Sequence, residues 1–331
     1  MIDEREKMKY DRLISTIRRN FRITYLYKFY LEEYPEYITA DLINILTEDG
    51  EVSVEAAISA LLSQAFGLDF DDGEDRRLIM DYITPSIRLL DSKKYEENPY
   101  YKHISLSDLT RGCWEIRNEE YKPYRAVVCD DLIINDDFSE IPPLGFFPDG
   151  FSFPAILENG NEWMTLTPVD IDTCDEAIAA AEGKVLTYGL GLGYFAYMAS
   201  EKESVDSVTV VEISDEVIQL FKEYILPQMP NRHKIKIVNS DAISYAKEVM
   251  PEEKYDMVFV DTWRDASDGA PMYKDMKALE GSCPETKFYY WVENFLRSRC
   301  RAELYEKLLT EYSEGAFDLC YDEFAEKIRK I

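Results

Sequence analysis

Short apolar runs alternate with amphipathic stretches along the second half of the chain. Each apolar run is rich in β-branched residues and has the length of a buried strand, and each amphipathic stretch has the length of a helix. Such alternation is typical of a mostly parallel sheet with helices on both faces, so we predict a Rossmann-like α/β fold for this region. The predicted strands cover residues 185–188, 207–213, 234–240, 255–261 and 288–292, and the predicted helices between them cover residues 194–200, 215–226 and 242–250.

The first third of the chain has helical periodicity instead. On its first helix an apolar side chain recurs at every fourth position, and Ser53 is placed to cap a later helix over residues 54–66. Residues 111–165 are rich in aromatic residues, proline and glycine, and they predict short strands with a hairpin turn at Glu158–Gly160. The recurring positions of the first helix are Leu13, Ile17, Phe21, Tyr25 and Phe29.

These patterns divide the chain into three predicted domains. A helical N-terminal domain covers residues 1–105, and a small β-rich linking subdomain covers residues 106–172. The α/β domain, residues 173–331, ends in helical patterns at residues 293–314 and 317–331. Because no strand pair is apparent after residue 292, we expect the sheet to lack a final hairpin.

A glycine-rich turn follows the first strand of the predicted sheet. Gly189, Gly191 and Gly193 stand at alternate positions between this strand and the helix that begins at Tyr194. A strand, a glycine turn and a helix in this order bring the backbone close to a nucleotide-like ligand. The dinucleotide-binding spacing would require a small residue at position 194, so the G-x-G-x-G spacing favours another nucleoside.

Acidic residues lie at the ends of the next three predicted strands. They are Glu212, Asp241 and Asp261, and ligands of parallel α/β sheets bind outside these carboxyl ends. A carboxylate at Glu212 suits a ribose diol, because it can accept two hydrogen bonds, and it would repel the phosphate of NADP. Asp241 could equally be a helix cap, and Asp261 could be an acid that only caps a helix or faces the cofactor.

The glycine spacing resembles motif I of the class I S-adenosyl-L-methionine (SAM) methyltransferase superfamily. Within that superfamily, the run from Val210 to Pro227 and the strand Tyr255–Asp261 resemble the spermidine synthase branch. The resemblance implies that SAM binds to the glycine turn through its methionine part, with its ribose at Glu212 and its adenine at Asp241. Asp261 would then face the reacting centre. The cofactor-binding residues in this hypothesis are Gly189, Leu190, Gly191, Gly193, Glu212, Ile213, Asp241 and Ala242.

Three positions depart from these families. The spermidine synthase branch has an aspartate between the second and third motif I glycines, where this chain has Leu192. That branch also has an acid and a His-Glu pair in the helix before motif I, whereas residues 166–177 contain no histidine or tyrosine. Thr187 replaces the acid that methyltransferases usually have two residues before the first glycine.

We therefore predict a SAM-dependent methyltransferase that acts on a small-molecule acceptor. Asp261 is the candidate for positioning the acceptor or removing its proton, with Asp265 and Glu293 as secondary candidates. Thr262–Trp263 would form part of the pocket wall, and Tyr194 would either cover the methionine end of SAM or pack on the sheet. Two alternatives stay open: an aminopropyltransferase of the spermidine synthase type and a non-catalytic SAM-binding protein.

The composition narrows the classes of partner. The chain has 65 Asp and Glu residues against 37 Lys and Arg residues, a net charge of −28, which disfavours nucleic acid and favours a cationic small-molecule substrate. It has only two histidines and six cysteines without a C-x-x-C pair, so no metal centre is expected. Without a secretory segment or a membrane-length apolar stretch, we expect a cytoplasmic protein that does not bind membranes. The N-terminal helices could form a homodimer.

Overall fold

The computed structural model describes residues 4–106, 109–314 and 320–331. These residues group into two compact units, each assembled from separate stretches of the chain. The division of the chain at residues 105 and 172 stays a prediction, and residues 317–319 of the last predicted helix lie outside the described residues. The first unit draws on Met1–Leu90, Lys122–Pro148 and Asn294–Ile331, and the second on Asp91–Tyr121 and Asp149–Glu293.

Helices and strands are numbered here in chain order. The α-helices are α1 (Glu4–Glu33), α2 (Ala40–Thr47), α3 (Val54–Ala65), α4 (Gly73–Leu78), α5 (Thr84–Ser86), α6 (Ser92–Glu96), α7 (Pro99–His103), α8 (Pro168–Asp172), α9 (Asp175–Ala180), α10 (Tyr194–Ser200), α11 (Asp215–Leu220), α12 (Ala242–Glu248), α13 (Met250–Glu253), α14 (Ala266–Leu279), α15 (Glu293–Glu314) and α16 (Tyr321–Lys330). The strands are β1 (Ile87–Leu89), β2 (Leu109–Arg111), β3 (Trp114–Tyr121), β4 (Ala126–Val128), β5 (Ile133–Ile134), β6 (Glu140–Ile141), β7 (Leu144–Phe146), β8 (Phe151–Glu158), β9 (Asn161–Thr165), β10 (Gly183–Tyr188), β11 (Val205–Glu212), β12 (Ile235–Asn239), β13 (Met257–Val260) and β14 (Lys287–Tyr290).

The first unit is mainly helical, and its longest helix is α1. The helix is confirmed, but only two of the five predicted apolar positions are buried. Leu13 and Ile17 are buried, whereas Phe21, Tyr25 and Phe29 are 36%, 69% and 48% exposed. An α-helix has about 3.6 residues per turn, so a strict period of four rotates steadily away from the core. The buried face continues instead through Asn20, Ile23, Tyr27 and Tyr30.

Local capping explains where the predicted helix of the first unit begins. The hydroxyl oxygen of Ser53 accepts a hydrogen bond from the backbone N–H of Ala56, at 3.2 Å, and α3 starts at the next residue after Ser53. This interaction satisfies one of the free N–H groups in the first turn, as the sequence predicted.

The second unit contains an antiparallel sheet with the strand order β2-β3-β8-β9. Strands β8 and β9 form the predicted hairpin, and its turn residues Asn159 and Gly160 both have positive φ, at 53° and 79°. Asparagine and glycine are the residues that tolerate this conformation best, which explains the position of the turn.

The second unit also contains the predicted parallel sheet, with helices flanking it. Its order is β12-β11-β10-β13-β14, and all four pairings are parallel. The Rossmann-like α/β fold is therefore confirmed. The chain leaves β10 on one side and reaches β13 on the other, so the strand order reverses between these two strands. Ligands of such sheets bind at this reversal, outside the carboxyl ends of the strands.

The sheet ends at β14 within the described part of the chain. Residues 291–314 and 320–331 contain no further strand, which agrees with the expected lack of a final hairpin. None of the described helices combines the length and the apolar character that a membrane crossing requires.

Candidate functional site

The glycine turn joins β10 to α10 and packs against the loop after β13. Gly189 has a φ of +91°, and a Cβ atom added there would lie 1.7 Å from the carbonyl oxygen of Asp261. Gly189 is required because neither this conformation nor this space accepts a side chain. At Gly191, with a φ of +54°, an added Cβ would meet only the sulfur of Met164, at 3.8 Å. Gly191 is half-exposed and an added Cβ there would make one ordinary van der Waals contact. Gly193 is the N-cap of α10.

Glu212 ends β11 and holds the glycine turn by a direct hydrogen bond. Its Oε2 accepts from the backbone N–H of Leu190 at 3.1 Å, and its Oε1 accepts from that of Ser214 at 2.8 Å. A carboxylate has about four acceptor positions, so both oxygens keep capacity for a further donor. The structure thus brings two parts of the predicted site together, the glycine turn and the predicted ribose acid. Ile213, the next residue, is exposed and could cover an adenine ring.

Asp241 lies after β12 and is the N-cap of α12. Its Oδ1 accepts from the backbone N–H of Ser244 at 2.8 Å, and this bond lowers the pKa of Asp241. The capping role that the sequence left open is therefore present. Because Glu212 pairs with Asn239 across β11 and β12, Asp241 lies at the same sheet edge as Glu212. Ala242, in the first turn of α12, is buried.

Asp261 lies at the carboxyl end of β13, beside the glycine turn. Its backbone N–H donates to the carbonyl oxygen of Tyr188 at 2.9 Å. The residue as a whole is half-buried, and among the described residues no hydrogen-bond donor contacts its carboxylate. Burial, and then the negative charges of Asp170 and Glu212, raises the pKa of Asp261 to about 8. Asp261 is thus a carboxyl group that can exchange a proton near neutral pH.

Asp170 and Cys174 belong to this site, although the sequence did not single them out. The pKa of the buried Cys174 thiol is raised by burial and then by Asp261 and Asp170, so the three side chains are neighbours. Asp170 accepts hydrogen bonds from the N–H and hydroxyl of Thr167, at 2.8 Å each, and burial raises its pKa to about 6. The available signal was the capping pattern Thr167-Pro-Val-Asp170, which places an acid in the helix before the glycine turn.

An aromatic residue of α7 contacts the glycine turn. Tyr100 donates from its hydroxyl to the carbonyl oxygen of Leu192 at 2.6 Å. Tyr194 is buried, its hydroxyl accepts from Asn98 at 2.9 Å, and its ring meets Tyr100 edge-on. Of the two roles predicted for Tyr194, these contacts match packing.

The secondary candidates have structural partners. Asp265 is the N-cap of α14 and accepts from the N–H of Ser267 at 2.7 Å. Glu293 accepts from the hydroxyl of Tyr273 at 2.8 Å and forms an ion pair with Lys277 at 3.0 Å. Both carboxylates therefore already hold structural contacts, whereas that of Asp261 accepts no hydrogen bond from the described residues.

The loop after β13 also holds the predicted wall residues. Thr262 is exposed and its backbone lies against Gly189. Trp263 is 8% exposed, and its indole Nε1 is buried without a hydrogen-bond partner among the described residues. A buried donor without an acceptor is costly in a folded protein, which is consistent with a ligand atom or water accepting from it. No group of three or more potential metal ligands occurs in the described residues.

Replacing Asp261 with asparagine should stabilise the fold at alkaline pH. The folded-state pKa of about 8 lies above the usual value, so the stabilising protonated form is lost as the pH rises through that value. The D261N variant should unfold about 5 °C higher than wild type at pH 8 and less than about 2 °C higher at pH 4.5. Thermal unfolding at both pH values checks this, with exposed Asp206→Asn as the control. A gain that is equal at both pH values would contradict the assignment.

Part of the chain matches a known family. Residues 180–276 match the family model of the spermine/spermidine synthase domain. The structure is similar to the spermidine synthase of Thermotoga maritima, with 17% identity, 38% of this chain and 49% of that chain covered, and a TM-score of 0.26. A spermidine synthase in complex with the transition state analogue AdoDATO has 16% identity, covering 39% of this chain and 48% of that chain, with a TM-score of 0.28.

A third similar structure comes from another enzyme. The precorrin 8w decarboxylase of Methanobacterium thermoautotrophicum has 12% identity, covering 40% of this chain and 71% of that chain, with a TM-score of 0.29. The matched region thus spans about half of each spermidine synthase chain, 49% and 48%. No curated protein matches the chain.

Proposed function

The chain carries a spermidine synthase-like domain of the class I SAM methyltransferase fold, and on this basis we propose that it is a transferase. It would move an alkyl group from a SAM-type sulfonium nucleoside to an amine, with aminopropyl transfer from decarboxylated SAM as the first candidate. This replaces methyl transfer as the leading hypothesis, because the matching family model is that of the spermine/spermidine synthase domain, and spermidine synthases are aminopropyltransferases.

The observation that carries the proposal is the state of Asp261. Asp261 is half-buried as a residue, its carboxylate has no hydrogen-bond donor among the described residues, and it lies at the strand reversal beside Gly189. With a pKa of about 8, it can accept a proton from an ammonium group once it is ionised, in the range around and above pH 8. A carboxyl group that served only the fold would be expected to have a partner.

The surrounding residues fit a sulfonium nucleoside. The half-exposed backbone at Gly191 can receive the ligand beside the sulfur of Met164, and Glu212 keeps acceptor capacity for ribose hydroxyls. Asp170, and Asp261 once it ionises above a pKa of about 8, supply negative charge where a sulfonium or ammonium group would be favoured. The donor supplies an electrophilic carbon bonded to a positively charged sulfur.

The protein's task is alignment and proton removal. The amine nitrogen forms a bond to the carbon as the carbon–sulfur bond breaks, and the electron pair of that bond stays on sulfur. The nitrogen is then a positively charged ammonium, and Asp261 accepts its proton on the carboxylate to leave a neutral amine. Asp170 favours the approach of the cationic acceptor by its negative charge.

Methyl transfer from SAM itself is the second candidate, and Leu192 favours it. The resemblance places an aspartate of the spermidine synthase branch at this position, but Leu192 is buried and apolar, and its carbonyl is bound by Tyr100. A non-catalytic SAM-binding protein, a cytoplasmic location and a homodimer through the N-terminal helices stay predictions. Light scattering would measure the last of these.

A donor and acceptor panel tests the proposed function. Wild type and D261N would be incubated with SAM or decarboxylated SAM and a set of primary amines, diamines, thiols and alcohols, and products would be identified by mass spectrometry. We expect an aminopropylated amine from decarboxylated SAM with wild type alone. Methylated products would favour the second candidate, and nucleoside binding without any product would favour the non-catalytic alternative.

Replacing Glu212 should weaken nucleoside binding strongly. Glu212→Gln loses the charge that strengthens hydrogen bonds to ribose hydroxyls and to the N–H of Leu190. We expect the Kd for 5′-methylthioadenosine to rise about 100-fold. Isothermal titration measures it, with exposed Glu216→Gln in α11 as the matched control. An unchanged Kd in E212Q would remove the ribose assignment.

A further inference from the structure

Strand β9 of the antiparallel sheet lies over both loops of the candidate site. Its Met164 sulfur lies 3.8 Å from the position of a Cβ atom added at Gly191. The neighbouring Trp163 packs edge-on against buried Trp114, with ring centroids 5.6 Å apart at 89°. The guanidinium carbon of Arg264 lies 5.2 Å from the centroid of the Trp163 ring. Two adjacent residues of β9 therefore contact the glycine turn and the loop after β13.

The loop that carries Asp261 is held at several points. Its start packs on Gly189, and the backbone N–H of Arg264 donates to the Asp268 carboxylate at 3.2 Å, in the first turn of α14. The side chain of Arg264 provides a further contact, with the Trp163 ring. A stacked guanidinium at such a distance gains a cation–π attraction, and the rigid packing of Trp163 on Trp114 fixes where that attraction acts.

Arg264 is three residues from Asp261 along the chain, yet its positive charge does not pair with the Asp261 carboxylate. Among the described residues Arg264 forms no ion pair, and it is absent from the charges that act on Asp261. The titratable groups that do act there are Asp170 and Glu212, with Cys174 as a buried neighbour. Arg264 is exposed, whereas the Asp261 carboxyl group is buried. If the guanidinium left Trp163, the ionised Asp261 carboxylate would attract it as an opposite charge three residues away along the chain.

We propose that Trp163 is a positioning residue that captures Arg264 and holds it away from Asp261, so that the Asp261 carboxylate stays free for the acceptor. The inference rests on the proposed function for its consequence in catalysis. The geometry of the Trp163–Arg264 pair does not depend on the proposed function. Trp163 lies in a different sheet from Asp261, and it would act only through Arg264.

Titration of Asp261 tests the proposal without any substrate. Carbon-13 NMR of aspartate-labelled protein would follow the carboxyl signals, with the Asp261 signal assigned by its loss in D261N. Trp163→Ala should release Arg264 and lower the pKa of Asp261 by about one unit or more, because an opposite charge nearby favours the ionised form. The double variant W163A/R264A should return the pKa to the wild-type value, since the released cation is then absent.

Conservative variants separate positioning from general disruption. Trp163→Phe keeps an aromatic ring for the cation and should titrate like wild type, and Lys287→Ala removes an exposed cation elsewhere in the unit and should do the same. The proposal is overturned if W163A titrates like wild type, or if the double variant keeps the lowered pKa. Circular dichroism of each variant at the same pH checks that the fold is intact.

Kinetics then test the consequence for catalysis. If the proposed function holds, W163A should lower kcat about tenfold with little change in the Kd of 5′-methylthioadenosine, and the inflection of the kcat/KM profile should move to lower pH. Failure of wild type to bind a nucleoside or to turn over any donor would refute the proposed function, while the NMR titration would still decide the Trp163–Arg264 pair.

Discussion

The D261N variant is expected to lose at least about 100-fold in kcat with little change in affinity for the uncharged nucleoside 5′-methylthioadenosine. Asparagine keeps the shape of the side chain but cannot accept the proton from the attacking amine. The donor contacts assigned to Gly191 and Glu212 do not involve Asp261, so nucleoside binding should survive. Single-turnover kinetics with decarboxylated SAM and the best amine, beside isothermal titration, measure both quantities.

The pH dependence of kcat/KM in wild type independently checks that Asp261 acts as the base. The base must be ionised in the free enzyme, so kcat/KM should rise with pH and level off above a pKa of about 8. Asp206→Asn, on β11, is the matched control and should keep wild-type kinetics. A D261N variant that turns over at more than a tenth of the wild-type rate (about one unit of log kcat) would rule out this role for Asp261.

The second large effect is expected at two glycines of the same turn, which should behave differently. In Gly189→Ala the new methyl group would lie 1.7 Å from a backbone oxygen, so no side-chain rotation relieves the clash. The ends of β10 and β13 would have to separate, and with the strained φ we expect a loss of about 3 kcal/mol or more in the free energy of unfolding. We expect a measurable fraction of the G189A protein to be unfolded even without denaturant.

Gly191→Ala should instead preserve the fold and impair binding. Its added methyl group would enter the space between Gly191 and the sulfur of Met164, where it makes an ordinary van der Waals contact, so only the positive φ costs stability, about 1 kcal/mol. That space is where the ligand would approach the backbone, and the Kd for 5′-methylthioadenosine should rise about tenfold or more. Urea unfolding and isothermal titration of the two variants check the pair. Equal stability losses, or unchanged binding in G191A, would contradict this account of the turn.

Local patterns in the sequence were enough to predict the parallel sheet and the position of the glycine turn. Buried parallel strands form continuous apolar runs, and Gly189, Glu212 and Asp261 follow such runs directly, so the topology alone places them at one edge. The burial of α1 was predicted less well, because a period of four matches a helix for only two or three turns. Tyr25 lies beyond that range and is 69% exposed.

The residues that the sequence missed act through contacts between distant segments. Asp170 is marked locally only as a capping acid, and its proximity to Asp261 depends on how α8 packs at the sheet edge. The stacking of Arg264 on Trp163 likewise joins a strand of one sheet to a loop of another. Neither pairing has a periodicity or a spacing that could reveal it.

The central claim is that Asp261 faces a positively charged sulfur, and the pH dependence of ligand binding tests it most directly. SAM and S-adenosylhomocysteine share an amino group and differ in the charge on sulfur, as do decarboxylated SAM and its thioether. Isothermal titration from pH 6 to pH 9 (roughly one to two units either side of the Asp261 pKa) should show the sulfonium affinity rising through a pKa of about 8, relative to the matched thioether. The same pH dependence for both members of each pair, or no binding of either, would contradict the account.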